Sequence, residues 1–432
     1  MTTSSERASE PDPATVLEQV AGRARMAGRI ALDTEFMGEG RYRTLLCLIQ
    51  LAVADTLKGT PHGAHPKGTY PEGTRRQAGG TGGEQIEIVD PLAGGQREGS
   101  RAKPLGEAGE PLARVLEDAQ IEVVVHAGRQ DIALLRRALD CDVRNVFDTQ
   151  VAAGFLGMPA QCSYDTLLAE LLSVKLSKSA SFTRWDTRPL SAEQLSYARN
   201  DVVHLTALAA ELERRLEQAG RLQWAREECE FLERVSDERD IDAIFERLPR
   251  IRGMSATSQG IARELVAWRE QTAAERDRPV QSVLGDTPLV EIAKRKPSSL
   301  RKLEEIRGVG QNSLRKRGEE LIAAVQRGME SSQQPLASGP RPQQPRPEDA
   351  PLIALSEALV RARAREADLA YELLASRADL QAIVVGERTG ERTDVRTLRG
   401  WRRELVGGEL LALLDGRISL SVENRLISIA RH

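Results

Sequence analysis

Apolar residues follow two different spacings along the chain. In the first 225 residues, short apolar runs suited to β-strands alternate with stretches in which apolar residues recur every three or four positions, as on one face of a helix. The candidate strands are residues 29–36, 45–53, 87–90 and 122–126, and the candidate helices are residues 14–26, 129–139, 165–173 and 192–216. This alternation predicts an α/β domain over residues 1–225.

Beyond residue 225 the strand pattern nearly stops. Residues 226–330 and 351–432 keep the helical spacing of Leu, Ile, Val and Ala, which predicts two small all-helical domains. Two other stretches have no apolar periodicity. Residues 57–84 are rich in Gly, Pro and Thr and suit a flexible insertion between two strands, while residues 331–350 form a Pro-rich stretch typical of an interdomain linker.

Composition adds limits on size and surface. A chain of 432 residues exceeds the usual size of one hydrophobic core, so roughly two or three domains are expected. Hydrophobic residues make up 40% and charged residues 29%, as in ordinary globular proteins. The net charge is only −3, so any face that binds nucleic acid must be local.

Cysteine usage and the N-terminus bear on location. The four cysteines make no C-x-x-C pair, so neither a structural zinc site nor a disulfide framework is expected, and reduced thiols fit better. The first residues lack the basic stretch and apolar run of a signal peptide. No apolar run approaches the about 20 residues of a membrane helix. We therefore expect a cytoplasmic protein with no membrane contact.

Two carboxylates share one face of the first predicted strand. In ALDTEF, residues 31–36, the alternation of side chains places Asp33 and Glu35 on the same face and Thr34 on the other. If they are buried together, they repel each other unless a cation lies between them, which suggests a metal site. A solvated strand end is the common alternative, and the D-x-E pair by itself does not exclude it.

Two further acidic positions stand on predicted helices. Asp131, in VVVHAGRQDIALL, begins a helix, where an acidic residue is often only a favourable charge. Ser191 and Gln194 form a capping-box pattern that starts another helix, and Tyr197 and Asp201 then lie one turn apart on its apolar face. An inward Asp needs a partner, and either a metal ion or a core Tyr–Asp hydrogen bond supplies one.

Together these elements resemble the DEDDy family of 3′→5′ exonucleases, which combines D-x-E on a first strand, Asp at a helix start and Y-x-x-x-D on a later helix. The stretches HAGRQDI, FDTQVAAGFLG and SKSASFTRWDTRPLSAEQLSYARNDVVHL resemble the ribonuclease D branch of that family. The resemblance covers residues 25–215, apart from the insertion. It implies an RNase H-like fold with a mixed central sheet.

The resemblance also implies a chemistry. Two divalent ions, Mg²⁺ or Mn²⁺, would lie about 4 Å apart on carboxylate oxygens and stabilise the attacking and leaving oxygens of a phosphodiester. In the family pattern Asp33 bridges both ions, Glu35 and Asp201 complete the ion on the nucleophile side, and Asp131 serves the other ion. Tyr197 then orients the attacking water.

Basic and aromatic residues near these motifs are candidate RNA contacts. Basic side chains can hold phosphates, and an aromatic ring can stack on a base. The candidates are Lys175, Lys178, Arg184 and Arg188 around Trp185, and Phe36 directly after the D-x-E pair. A solvated basic loop around a core Trp, and core packing for Phe36, are the simpler alternatives.

Residues 256–328 resemble the HRDC domain, an auxiliary helical module of ribonuclease D and RecQ-type helicases, through WRE, A-x-x-x-D-x-P, D-x-x-L-x-x-IA and I-x-G-x-G. Between residues 292 and 317, nine Lys or Arg are opposed by only two Glu, which favours phosphate contact over a merely soluble helix face. The candidate contacts are Lys294, Arg295, Lys296, Arg315, Lys316 and Arg317. Residues 351–432 have a similar but weaker layout, which we interpret as a second, divergent HRDC-like domain.

The sequence thus predicts an α/β RNase H-like exonuclease domain (1–225), an HRDC domain (226–330), a Pro-rich linker (331–350) and a second small all-α HRDC-like domain (351–432). The expected activity is stepwise release of 5′-mononucleotides from RNA 3′ ends, in tRNA maturation or on other structured RNA. The choice of RNA rests on the resemblance alone. A DNA-directed DEDDy exonuclease and a catalytically inactive nucleic-acid-binding scaffold are the alternatives, and the intact carboxylates argue against the scaffold. The oligomeric state stays open.

Overall fold

The computed structural model describes residues 12–54, 84–93, 105–176, 184–309, 311–331, 344–391 and 393–432. Lys178, nearly all of the predicted insertion and the middle of the predicted linker therefore lie outside the described residues. By their contacts, the described residues fall into two units. The first unit is drawn from 1–35, 46–236 and 343–432, and the second from 36–45 and 237–342.

A five-stranded sheet forms the centre of the first unit. Its strands are β1 (Arg29–Met37), β2 (Leu45–Ala54), β3 (Glu84–Val89), β4 (Glu122–Val125) and β5 (Val146–Asp148), in the order β3-β2-β1-β4-β5. β4 runs parallel to both β1 and β5, whereas β2 and β3 are antiparallel. The sheet is therefore mixed, which confirms the predicted fold class.

Helices alternate with these strands, as the apolar spacing predicts. They are α1 (Pro13–Ala27), α2 (Glu110–Leu116), α3 (Arg129–Leu139), α4 (Thr149–Gly154), α5 (Tyr164–Leu167), α6 (Ala192–Asn200), α7 (Leu205–Gln218) and α8 (Leu222–Cys229). α1 begins at Pro13, whose fixed φ suits a first turn, and ends at Gly28, whose φ of 67° favours glycine. In the described part of the chain, no helix is long and apolar enough to span a membrane.

One predicted helix is divided in two. The apolar spacing predicts a single helix over residues 192–216, but the structure separates α6 from α7 by a turn at 201–204. Ser191 and Gln194 form the predicted capping box at the start of α6. The turn contains an aspartate and two β-branched valines, all of low helix propensity. The break places Asp201 at the C-terminal end of α6.

The second unit is helical. Its helices are α9 (Ile241–Glu246), α10 (Ala256–Arg276), α11 (Val280–Val283), α12 (Asp286–Arg295), α13 (Leu300–Glu304) and α14 (Gln311–Glu330). Ile261, Leu265, Leu289 and Ile292 are fully buried in its core. The helical character predicted for residues 226–330 is therefore confirmed.

Residues 36–45, which directly follow the D-x-E pair, fold with these helices. The Arg41 guanidinium forms an ion pair with Asp277 at 2.7 Å, and the backbone N–H of Tyr42 donates to the same carboxylate. The Arg239 guanidinium lies over the Tyr42 ring, 5.5 Å from its centroid. Helices from much later in the chain therefore hold the segment that leaves β1.

The C-terminal segment is helical until its last residues. It contains α15 (Ala350–Glu366), α16 (Tyr371–Leu374), α17 (Arg377–Thr389), α18 (Gly400–Arg402), α19 (Gly408–Leu414) and an antiparallel hairpin of β6 (Ile418–Glu423) and β7 (Leu426–Arg431). The hairpin corrects the prediction of an all-helical segment. Residues 418–422 read ISLSV, so their apolar side chains recur with the period of two that suits a strand.

The C-terminal segment shares one hydrophobic core with the α/β domain. The Trp401 ring stacks on Trp224 with centroids 5.1 Å apart, and it meets Phe155 edge-on at 5.3 Å. The Arg221 guanidinium donates to the backbone carbonyls of Phe155 and Asp368 at 2.9 and 3.0 Å. The segment therefore packs as part of the first unit.

Trp401→Ala should destabilise the α/β domain together with the C-terminal segment. Truncating a buried Trp leaves a cavity that costs about 3–5 kcal/mol. The free energy of unfolding in urea should fall by that amount, and hydrogen exchange should quicken in the sheet as well as in the C-terminal helices. Leu426→Ala, at a side chain that is 48% exposed, is the control and should cost less than about 0.5 kcal/mol. Faster exchange in the C-terminal helices alone would contradict a shared core.

Candidate active site

Three carboxylates that are far apart in the sequence meet on one side of the sheet. β1 carries Asp33 and Glu35 on one face, and the end of α6 brings Asp201 to them. One oxygen from each carboxylate lies within 4.8 Å of the others, and all three side chains are half-buried. This spacing is short enough for one cation to touch all three groups.

Asp131 stands beside this group, in the first turn of α3. Its side chain is buried and accepts a hydrogen bond from the Thr34 hydroxyl, on the opposite face of β1 from Asp33. After burial itself, the Asp131 charge is the largest cause that raises the pKa of Asp33. The structure thus brings three of the predicted metal ligands together. The fourth, Asp131, lies close enough for its charge to raise the pKa of Asp33.

Burial and mutual repulsion favour protonation of these carboxyls. Burial first, then the charges of Asp131, Asp201 and Glu35, raise the pKa of Asp33 well above its ordinary value. Burial and the neighbouring Asp charges raise the pKa of Glu35 to about 8. Burial and the charge of Asp165 raise the pKa of Asp201 to about 7. A divalent cation relieves this repulsion, and carboxylate oxygens are ligands that Mg²⁺ and Mn²⁺ prefer, so the donor set fits such ions.

Tyr197 lies one helical turn before Asp201 on α6. Burial, followed by the charges of Asp201 and Glu35, raises the pKa of its hydroxyl to about 12. At neutral pH the hydroxyl is therefore protonated, which suits a hydrogen-bond donor better than a general base. Its ring lies 6.0 Å from the ring of Trp185, centroid to centroid.

Two predicted RNA contacts, Trp185 and Arg188, contact protein groups in the structure. Trp185 is 2% exposed, so its ring packs beside Tyr197 and cannot stack on a base. The Arg188 guanidinium donates to both oxygens of Asp90 at 2.6 Å and to the carbonyl of Cys47 at 2.9 Å. The prediction for Trp185 is corrected, because the sequence does not distinguish an aromatic ring that binds a ligand from one that packs in the protein. Arg188, whose side chain is 24% exposed, stays a predicted RNA contact. The bonds of Arg188 also hold the segment that leads into α6.

The remaining candidates around α6 and β1 are more accessible. Lys175 is exposed, and Arg184 is largely exposed in an ion pair with Asp186. Phe36 is half-buried and directly follows Glu35 in β1. These positions stay predicted RNA contacts.

The basic candidates of the second unit divide into exposed and buried side chains. Lys294, Arg295 and Arg315 are exposed, and Lys296 is half-buried. Arg295 also forms an ion pair with Glu291. Arg317 is only 8% exposed and its guanidinium lies 6.0 Å from the centre of the Trp268 ring, so its prediction as a surface phosphate contact is corrected. The side chain of Lys316 lies outside the described residues.

The structure adds supporting residues that the sequence did not single out. Asp90, just after β3, receives the Arg188 ion pair, and Thr34 holds the Asp131 carboxylate. An aspartate at a strand end and a threonine between two acids were their only signs in the sequence. His126 Nδ1 lies 2.9 Å from the Thr149 hydroxyl, and burial lowers the pKa of this histidine to about 4, so its ring is neutral.

Comparisons with known proteins find relatives over nearly the whole chain. Residues 77–217 match the family model described as 3′-5′ exonuclease, and residues 258–325 match the HRDC domain. A ribonuclease D from Gluconacetobacter diazotrophicus is 33% identical over 430 residues, which cover 96% of this chain and 96% of that protein. A ribonuclease D from Granulibacter bethesdensis is also 33% identical, over 93% of this chain and 91% of that protein.

A solved structure shares the fold. The crystal structure of Escherichia coli RNase D, described as an exoribonuclease involved in structured RNA processing, has a TM-score of 0.70 and 25% sequence identity with this chain. The match covers 93% of this chain and 97% of that one. Identity of about one third over nearly the whole length, together with this fold and these carboxylates, leads to one assignment: the chain belongs to the ribonuclease D family of 3′→5′ exoribonucleases.

Proposed function

We propose that this chain releases 5′-mononucleotides one at a time from RNA 3′ ends, with the help of two divalent metal ions. The observation that carries the proposal is the convergence of Asp33, Glu35 and Asp201, with Asp131 beside them, at a place where their charges repel one another. Without a cation, this arrangement costs stability, and a divalent ion offsets that cost.

The proposed ions are Mg²⁺ or Mn²⁺, because both prefer oxygen ligands. When bound, they stabilise charge on the attacking and leaving oxygens of the scissile phosphodiester. Asp33 is the proposed bridging ligand, since its pKa responds to the charges of all three other carboxylates. Glu35 and Asp201 would hold the ion on the nucleophile side, and Asp131 would hold the other.

Tyr197 is proposed to orient the attacking water. Its hydroxyl keeps its proton because its pKa is raised to about 12. Trp185 packs beside its ring, and the Arg188–Asp90 ion pair holds the segment that leads into α6. These contacts support the direction of the hydroxyl, and the carboxylates and the ions supply the electrostatic stabilisation.

RNA is the proposed substrate, with tRNA precursors or other structured 3′ ends as the physiological class. The E. coli relative is described as acting in structured RNA processing. Exposed Lys294 and Arg315, with half-buried Lys296, offer phosphate contacts in the HRDC region. The cytoplasm is the proposed location, because the four buried cysteines are free, which suits a reducing compartment.

The full-length protein should shorten a 5′-labelled RNA in single-nucleotide steps from its 3′ end when Mg²⁺ or Mn²⁺ is added. Asp33→Asn should abolish turnover and weaken metal binding, because it removes a carboxylate oxygen with little change of volume. Tyr197→Phe should slow cleavage roughly 10²-fold while metal binding stays intact, because it only loses the orientation of the water.

A DNA oligomer of the same sequence is the matched control for this assay. Faster cleavage of DNA than of RNA would favour a DNA-directed exonuclease. If neither polymer is cut with either ion, the inactive-scaffold alternative would be preferred. Near wild-type turnover by Asp33→Asn would contradict the proposal that the carboxylates bind the catalytic metal ions.

The metal-free protein should lose stability as the pH rises from about 4.5 to about 8. The pKa of Glu35 in the folded chain is about 8, above its ordinary value of about 4.3. The folded state therefore binds the Glu35 proton more tightly than the unfolded state does. The stability that this proton contributes is fully present below the ordinary pKa and is lost as the pH rises past the folded pKa. Melting temperatures in EDTA across this range measure the effect.

Glu35→Gln should flatten this dependence and raise the metal-free Tm at about pH 8, because it removes one of the repelling charges. It should also weaken Mn²⁺ binding. In the wild type, Mn²⁺ affinity should rise with pH, since the ion competes with protons for the same carboxylates. Glu110→Gln, at an exposed position of α2, is the control and should leave both curves unchanged. A metal-free Tm that is independent of pH would contradict the repulsion argument.

Replacing Lys294, Lys296 and Arg315 by Gln in one triple variant should weaken binding to structured RNA. The slope of log affinity against log salt concentration should become less steep by about 0.7–0.9 per lost phosphate contact. Binding titrations at two salt concentrations measure the slope. A triple Gln variant at Arg417, Arg425 and Arg431, all exposed in and near the C-terminal hairpin, removes the same charge and should change binding little. An equal loss in both variants would show that net charge, and not this surface, controls affinity.

A further inference from the structure

Gln50 is the polar exception in β2. The strand reads LLCLIQLAVA, and the Gln50 side chain is fully buried within it. Neither its Nε2 nor its Oε1 has a hydrogen-bonding partner among the described residues. A buried amide that is unpaired at both ends destabilises the folded chain, because its bonds to water are lost and not replaced. Among the described residues no protein group fills this role, so the amide is free to hold a bound ligand.

Gln50 lies on the face of the sheet that carries the carboxylates. Ala52, two residues further along β2, packs in the same core cluster as Ala31 of β1. Because side chains alternate along a strand, Gln50 shares the face of Ala52, and Asp33 and Glu35 share the face of Ala31. β2 and β1 are neighbours in the sheet. Gln50 and Asp33 therefore stand on adjacent strands and on the same face.

This face of the sheet changes from apolar to polar at the level of Asp33. The apolar row is formed by paired Ala31, Val124 and Phe147, all buried. Two residues further along each chain segment stand Asp33, His126 and Thr149. His126 and Thr149 already pair with each other at 2.9 Å. Gln50 differs from this pair, because its amide has no protein partner in the described part of the chain.

We propose that Gln50 is a positioning residue of the metal site. Once an ion is bound, its amide holds the Asp33 carboxylate and the water that accompanies the ion. An amide fits both tasks, because Nε2 donates to a carboxylate oxygen while Oε1 accepts from a polarised water O–H. The inference rests on the proposed metal-dependent cleavage, and it adds a neutral residue to the four carboxylates.

Two structural explanations of Gln50 make different predictions. If the amide is only an unsatisfied core group, an apolar replacement stabilises the protein and leaves metal binding and turnover unchanged. If a protein group holds the amide, the replacement destabilises the metal-free protein. Only the proposal predicts that a variant with an apolar residue at position 50 is at least as stable as the wild type without metal, yet binds metal more weakly and turns over more slowly.

Gln50→Met tests the proposal, because it keeps an unbranched side chain of similar length. In full-length protein, its Tm in EDTA should equal or exceed that of the wild type. Calorimetric titration should show Mn²⁺ affinity about 10–100-fold weaker, and RNA cleavage should slow by a similar factor. Leu51→Met, at a buried residue on the opposite face of β2, is the matched control and should bind Mn²⁺ and cleave RNA as the wild type does.

Mn²⁺ affinity and turnover at wild-type levels in Gln50→Met would overturn the proposal. A lower metal-free Tm in both Gln50→Met and Gln50→Leu would also overturn it, because it would reveal a protein partner for the amide. Asp33→Asn separates the two levels of inference. If Asp33→Asn abolishes Mn²⁺ binding while Gln50→Met does not weaken it, only the role of Gln50 fails. If Asp33→Asn binds Mn²⁺ normally, the proposed metal site itself fails.

Discussion

Repulsion among half-buried carboxylates is the constraint on which the site depends. Asp33, Glu35 and Asp201 offer oxygens within 4.8 Å of one another, and burial together with neighbouring charge raises their pKa values. Like charges hold such positions only if the elements that carry them are fixed by stronger interactions. β1 lies in the interior of the sheet, between β2 and β4, which fixes the first two groups. The capping box at Ser191 and the turn after α6 fix the third.

The surroundings of α6 show how that fixing is achieved. Arg188 makes its bonds to Asp90 and to a backbone carbonyl of β2, and Trp185 packs beside Tyr197. Arg188 and Trp185, two of the predicted RNA contacts, therefore stabilise the helix that presents Tyr197 and Asp201. The same principle extends to Thr34, whose hydroxyl holds Asp131 from the other face of β1. The ordering of the site thus comes from neutral and paired groups, while the acidic groups supply its charge.

The C-terminal segment is integrated with the α/β domain, although a Pro-rich stretch precedes it. Trp401 lies against both Trp224 and Phe155, so removal of the segment would expose the core of the α/β domain. Truncation is therefore a poor test of which surfaces hold RNA, and single-residue substitutions are the sharper tool. Residues 36–45 belong to the second unit, in which Arg41 and Tyr42 both bind the Asp277 carboxylate.

The sequence by itself determined the fold class and the family, because strand and helix spacing are local and the D-x-E and Y-x-x-x-D motifs are read along one segment each. It also located the start of α6, since a capping box needs only Ser191 and Gln194. Three features were decided by tertiary structure. Whether Trp185 and Arg317 face solvent or protein depends on neighbours that are distant in sequence. At residues 201–204 a turn of low helix propensity interrupts apolar spacing that continues into α7, and only the folded chain decides between these two local signals. The shared core of residues 344–432 and the unpaired amide of Gln50 exist only once the sheet has assembled, because burial is a property of the packed chain and not of any single segment.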